Sequence, residues 1–189
     1  MLVGMILGDG YLQKTGTQNA RLRLEHGGAQ KEYLLWKAEQ FPRLFLGKPV
    51  HLVRVHPKSG GSYEYWRHQS NSTPILGTWR RYFYPEGKKK IPKDIARWLN
   101  PLAISVWYMD DGYYYPRDRA SFIYLGRVSR EEAETAKAAF IHKFSLSATI
   151  YDKKNKGFVL FFPVEETKKF QTLVRPYMLP VFNYKLSSP

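Results

Sequence analysis

Leu2-Val3-Gly4-Met5-Ile6-Leu7-Gly8-Asp9-Gly10-Tyr11 opens the chain, and Ile104-Ser105-Val106-Trp107-Tyr108-Met109-Asp110-Asp111-Gly112-Tyr113 repeats its design further on. Each is an apolar run that stops at an acidic residue, a Gly and a Tyr. Asp9 and Asp111 stand at the same offset as Gly10 and Gly112. A carboxylate at the end of an apolar helix, present twice in a basic chain, points to a two-fold pseudo-symmetric metal site that handles phosphate.

The segments downstream of the two motifs also repeat one another. After the first, Arg21-Leu22-Arg23-Leu24-Glu25 alternates as a half-buried strand does. Gln30 to Phe41 reads as a helix with Tyr33, Leu34, Trp36, Lys37 and Phe41 at helical spacing. Strands are expected at His51 to His56 and Ser62 to Gln69, around the turn Pro57-Lys58-Ser59-Gly60-Gly61. A helix over about Thr73 to Phe83 closes the unit. After the second motif come a strand at Ser121 to Arg127 and a helix at Ser129 to Phe144. Ser129 and Glu132 there have capping-box spacing. Strands at Ala148 to Asp152 and Phe158 to Phe162 then flank a lysine-rich turn, and Glu165 to Leu173 is helical. Arg80-Arg81-Tyr82-Phe83-Tyr84-Pro85 and Arg175-Pro176-Tyr177-Met178-Leu179-Pro180 share R-x-Y-x-x-P, and each lies shortly before a lysine. The halves divide as 1–98 and 99–189, with no flexible linker between them.

The chain has 189 residues, of which 43% are hydrophobic, so a real core can form. Lys and Arg number 30 against 16 Asp and Glu, a formal net charge of +14. Such an excess repels itself in the compact state, and a polyanion is the usual reason to keep it. The absence of cysteine excludes a disulfide scaffold, a Cys nucleophile and thiolate zinc sites. The five histidines show no zinc or HNH-type spacing. No apolar run approaches the roughly 20 residues that a membrane span needs. No signal peptide is visible, so Leu2 to Leu7 is expected to be packed inside an intracellular protein.

The strand faces suggest how nucleic acid is read. Arg21, Arg23 and Glu25 share one face, and so do Tyr63, Tyr65, Arg67 and Gln69. In the major groove Arg suits guanine and Gln suits adenine. His56 and Lys58 near one turn, and Lys153, Lys154 and Lys156 in another, suit phosphates, which set register without carrying sequence. Lys88 and Lys90 join them from the first half, and Arg117, Arg119, Tyr124 and Arg127 from the second.

The two motifs, the stretch Gly87-Lys88-Lys89-Lys90-Ile91-Pro92 and the segment Pro176 to Leu186 together resemble the LAGLIDADG homing endonucleases, in the single-chain branch with two motifs. The resemblance runs over nearly the whole chain. It implies an α+β fold of two pseudo-symmetric αββαββα halves, with antiparallel sheets forming a DNA-binding saddle and motif helices at the interface. It implies Asp9 and Asp111 as metal ligands and catalytic residues, with the backbone carbonyls of Gly8 and Asp110 as further ligands. Mg²⁺, or Mn²⁺, would be the cofactor, since hard cations take oxygen ligands. A lysine near each site would polarise water or balance phosphate charge. Lys185 is the candidate in the second half. In the first, the K-x-I-P pattern points to Lys89, whereas counting from R-x-Y-x-x-P gives Lys90. The sequence departs from strict symmetry: Val106 stands where the first copy has Gly4, so close helix approach would rely on Ala103 and Ser105. Asp110 stands opposite Gly8.

The expected function is a site-specific double-strand DNA endonuclease, acting as a monomer with no membrane association. The alternative is a non-catalytic binder on the same fold, either an intron RNA maturase or a DNA-binding regulator. A third reading, suggested by the Gly8/Asp110 asymmetry, is an enzyme with a single nicking-competent site.

Overall fold

The computed structural model describes residues 1–58 and 60–187; Ser59, in the expected first turn, and the last two residues lie outside the described residues. The elements are α1 (Leu2–Leu7), β1 (Tyr11–Lys14), β2 (Ala20–Gly27), α2 (Lys31–Glu39), β3 (Val50–Val55), β4 (Ser62–Gln69) and α3 (Pro74–Phe83), followed by α4 (Pro101–Asp111), β5 (Gly112–Tyr115), β6 (Ala120–Gly126), α5 (Arg130–Phe144), β7 (Thr149–Asp152), β8 (Phe158–Phe162) and α6 (Val164–Val174). The α+β order runs twice. Each repeat builds a four-stranded antiparallel sheet, and the two sheets share one strand order: β1-β2-β4-β3 and β5-β6-β8-β7.

The chain folds as two compact units, one of residues Asp9–Pro85 and one of Met1–Gly8 with Glu86–Pro189. In the first, the apolar side of the period-two pattern faces inward, burying Leu12, Leu22 and Leu24, while Arg21, Arg23 and Glu25 remain half-exposed. The helix α3 begins where Thr73 caps it, its Oγ1 accepting from the Leu76 amide at 3.2 Å, with Pro74 at the first helical position. Arg80 of α3 donates to the Leu12 carbonyl and lies 4.8 Å from the Tyr84 ring, pinning the helix to β1. The helix α2 ends at Glu39, so Phe41 falls in a turn beyond it rather than on its face.

The second unit is organised around two apolar helices. In α4, residues Ala103 to Met109 are all buried, as expected of a helix that is hydrophobic all round. Asn100 caps it, its Oδ1 accepting from the Ala103 amide at 2.8 Å. The helix α1 packs on α4 at Gly4, where any Cβ would collide with the Ala103 carbonyl. Ala103 therefore supplies the close approach. The Ser105 hydroxyl donates within α4 to the Pro101 carbonyl at 2.6 Å and lies 3.2 Å from the Val174 carbonyl. Behind the second sheet Phe140, Phe162 and Phe170 are fully buried, the last two stacked with centroids 4.8 Å apart. The helix α5 starts with the expected capping box: Ser129 Oγ accepts from the Glu132 amide at 3.1 Å, and Glu132 Oε2 accepts from the Ser129 amide at 2.7 Å. Glu132 Oε1 also accepts from the Ile91 amide at 2.8 Å, tying the lysine-bearing segment to α5.

Candidate metal centre and nucleic-acid interface

Both motif helices end at acidic residues, but not in the same way. The first stops at Leu7, and Asp9 follows Gly8 beyond the helix. The second continues through Asp110 and Asp111 and is capped by Gly112. The last carbonyls of a helix carry partial negative charge, so carboxylates there are disfavoured without a cation. The structure supplies one at each end. Lys89 Nζ donates to the carbonyls of Ile6, Leu7 and Gly8 at 3.1, 3.3 and 2.7 Å. Lys185 Nζ donates to those of Tyr108, Met109 and Asp110 at 3.4, 2.7 and 3.4 Å. These are the same three positions of the two motifs.

Lys90, the alternative first-half lysine, instead pairs with Glu86 at 2.8 Å. Counting from the shared R-x-Y-x-x-P string overshoots by one because the two segments take different paths. One passes through Gly87 at φ +79°, and the other winds a 3-10 turn over Pro180–Lys185. The Gly8 and Asp110 carbonyls, which the resemblance implies as further metal ligands, each accept from a lysine.

Gly8 has a steric role. A Cβ on it would run into the Asp110 carboxylate, so glycine in one motif makes room for the extra acid of the other. Asp110, Asp111, Gly112, Tyr113 and Tyr124 line an open hollow of about 360 Å³. On the side of Asp9, His26 of β2 faces the carboxylate, with Nδ1 3.6 Å from Oδ2, and the Asp9 side chain keeps 45% of its surface open. Carboxylate oxygens open to solvent, set at two acid-ended motifs, suit a hard divalent cation that retains waters.

The first sheet carries the polar face that alternation implies. Register sets Arg23 opposite Gln69 and Glu25 opposite Arg67, with Arg21 donating to Gln69 Oε1 at 3.3 Å. Arg54 belongs there too. It pairs with Tyr63 across β3 and β4, lies 4.8 Å from the Tyr65 ring and binds Glu25 at 2.7 Å, while Arg67 binds the other Glu25 oxygen at 2.8 Å. Burial pushes the Glu25 carboxyl up, but hydrogen bonds and charge from Arg54 and Arg67 outweigh this and hold it below its ordinary value. Alternation along Val50-His51-Leu52-Val53-Arg54-Val55 could have flagged Arg54, but its apolar neighbours concealed it. Tyr11 and Gln13 of β1, opposite Arg23 and Arg21, complete the face. Four residues are too few to show a period, so β1 and β5 have no sequence signal of their own.

The remaining candidates are spread at the edges. His56 and Lys58 sit at the exposed β3–β4 turn, where the Lys58 amide donates to His56 Nδ1 at 3.3 Å. Lys88 is exposed, as are Arg117 and Arg119 between β5 and β6. Lys153, Lys154 and Lys156 are exposed at the β7–β8 turn, and Arg127 donates to the Asn155 carbonyl there at 3.2 Å. The second sheet differs from the first: beside Tyr124 it offers aromatic rings, with Tyr113 opposite Phe122, and Phe122 and Phe161 paired at 5.2 Å. Tyr113 and Tyr115 are exposed.

Among the described residues no helix is long and apolar enough to cross a membrane. Comparison with known proteins agrees with this architecture. The chain is similar to the homing endonuclease I-WcaI, solved bound to its DNA recognition sequence: TM-score 0.90 and 26% identity over 100% of this chain and 84% of that one. It is 26% identical to a probable intron-encoded endonuclease 1 of Wickerhamomyces canadensis, over 98% of this chain and 81% of that protein. It is also 30% identical to a protein RecA of Mycolicibacterium flavescens, over 98% of this chain but 45% of the relative, so it spans about half the length of the RecA relatives that it matches. Residues 1–170 match the LAGLIDADG DNA endonuclease family. With two acid-ended helices, each held by a lysine on the same three carbonyls, and two sheets of identical strand order, the chain belongs to the LAGLIDADG DNA endonuclease family.

Proposed function

We propose that this chain is a site-specific endonuclease that hydrolyses both strands of a long, asymmetric DNA duplex with magnesium or manganese as cofactor. The observation that carries the reading is the repeated lysine arrangement, Lys89 on one motif and Lys185 on the other. A protein that only bound DNA would have no need of two acid-ended helices with matched cations. The two repeats, taken as 1–98 and 99–189, would each serve one strand. One chain supplies both carboxylates and both lysines, so it would act as a monomer.

Asp9 and Asp111 would hold the metal, which supplies an activated water and charge stabilisation at the phosphoryl oxygens. Lys89 and Lys185 neutralise the helix ends, so that a carboxylate and a phosphate can share negative surroundings. The ammonium of each is fixed by three carbonyls, which suits it to holding charge in place rather than to shuttling protons. Around the centre, Arg21, Arg23, Arg54, Arg67 and Gln69 would contact base edges, and the exposed turn lysines would contact phosphates.

The test is to incubate the protein and Mg²⁺ with a library of long random duplexes and to sequence the cut ends. A single recurring site with staggered ends supports the reading. Binding without cutting, together with stimulated splicing of an intron RNA, would favour the maturase alternative.

A further inference from the structure

One lysine of the Asp9–Pro85 unit lies in the core. Lys37 of α2 has no exposed surface, although charged side chains are almost never fully buried unless paired. Its Nζ lies 3.2 Å from Nε2 of His26 and 4.3 Å from the centroid of the Tyr33 ring. His26 is itself 4% exposed and held against the same Tyr33 ring, centroids 5.0 Å apart. Its other nitrogen, Nδ1, faces Asp9 Oδ2 at 3.6 Å. The three residues therefore form a line from the core to the acid: Lys37, His26, Asp9.

The line has a direction. An ammonium carries three donors and no acceptor, so the contact at Nε2 requires His26 to accept there. A ring that accepts at Nε2 carries its hydrogen on Nδ1, aimed at the Asp9 carboxylate. A doubly protonated ring would set an N–H against the ammonium. We propose that Lys37 is a positioning residue that locks His26 as the Nδ1–H tautomer, so that His26 steers the Asp9 carboxylate from behind. This rests on the reading of Asp9 as the acid of the first half-site.

The device is built into one half only. Arg23 faces Tyr11 in the first sheet, and Phe122 faces Tyr113 in the second. Counting three residues along each strand sets His26 against Leu125, at the irregular register between Tyr124 and Gly126. The second motif thus has a leucine where the first has an imidazole. Asp111 is the last residue of α4. Loss of Lys37 should therefore act on one strand.

Two measurements test this. Long-range ¹H–¹⁵N correlation of histidine-labelled, metal-free protein, with His26 assigned by His26→Gln, reads the tautomer without any cleavage. The expected result is a hydrogen on Nδ1 in the wild type, its loss in Lys37→Met, and its return in Lys37→Gln, which keeps a donor. Strand-resolved cleavage of an end-labelled duplex is the second readout. Lys37→Met should slow the strand that Asp9→Asn slows by about 10- to 100-fold, the usual loss when a residue supporting a metal ligand is removed. The other strand and the DNA affinity should hold within a few fold. A hydrogen on Nε2 in the wild type overturns the proposal, even if Lys37→Met does not fold. Equal slowing of both strands by a folded Lys37→Met overturns it too. If the wild type cuts neither strand with metal, the endonuclease reading fails, and the tautomer spectrum still decides the Lys37–His26 arrangement.

Discussion

Tyr108 and Lys185 hold each other twice. The Lys185 ammonium donates to the Tyr108 carbonyl at 3.4 Å, and the Tyr108 hydroxyl donates to the Lys185 carbonyl at 2.6 Å. Both residues are buried, and burial raises the Tyr108 hydroxyl well above its ordinary pKa, so it remains a donor. The motif helix and the lysine that caps it are therefore one rigid piece in the second repeat. In the first repeat the matching motif position is Ile6, which has no hydroxyl to return the bond.

Tyr108→Phe should accordingly cost about 1–3 kcal/mol, because it leaves a buried carbonyl without that donor. Chemical denaturation measures the loss. The substitution should also slow the strand served by Asp111 more than the one served by Asp9. A variant as stable as the wild type would mean that the hydroxyl bond adds nothing net.

The crossing of α1 and α4 depends on the missing side chain at Gly4. A methyl there has nowhere to go but into the Ala103 backbone. Gly4→Ala should destabilise by at least the roughly 1–3 kcal/mol typical of overpacking, and Gly4→Val by more. Thermal unfolding ranks the two, and a neutral Gly4→Ala would contradict the packing described.

Glu25 links stability to pH. Its folded pKa lies below its unfolded one, so the stability it adds is complete above the unfolded value and is lost as pH falls through the folded value. Glu25→Gln should flatten the acid limb of the stability profile below the ordinary carboxylate range. It should also release Arg54 and Arg67, raising DNA affinity for all targets while weakening discrimination. Unchanged discrimination across single-base target variants would argue that the two arginines are not held by Glu25.

Much of the fold was legible in the chain. The duplicated motif and period-two strands give the element order; β4 falls where alternation sets it, at Ser62–Gln69, and β8 falls between the lysine-rich turn and Pro163, at Phe158–Phe162. The choice between Lys89 and Lys90 was not legible by counting, because one turn at Gly87 shifts the register by a residue. Lys37 reads as part of a helix face, but nothing local says that its ammonium meets His26, eleven residues back on a strand. Arg54 and the aromatic face of the second sheet were hidden for a related reason. Cross-strand register, not neighbours in the chain, decides which side chains share a surface.

That register separates two kinds of contact. Arg67→Ala should cost about 1–3 kcal/mol and relax specificity at one base pair. Lys154→Ala, in the exposed β7–β8 turn, should weaken all targets evenly and reduce the salt slope by about one unit. Cleavage profiling of both variants across every single-base target change makes the comparison. If Lys154→Ala alters which bases are tolerated while Arg67→Ala lowers activity evenly, the two surfaces are reversed.

The central claim is that the two acids end matched motifs and act in metal-dependent cutting. Its most direct test is strand-resolved cleavage in Mg²⁺ by Asp9→Asn and by Asp111→Asn, each paired with a gel-shift measurement of DNA affinity. The expected result is loss of double-strand cutting in both variants with affinity held within a few fold, since removing a carboxylate from a phosphate-facing site does not weaken binding. Full double-strand cutting by either variant would contradict the account.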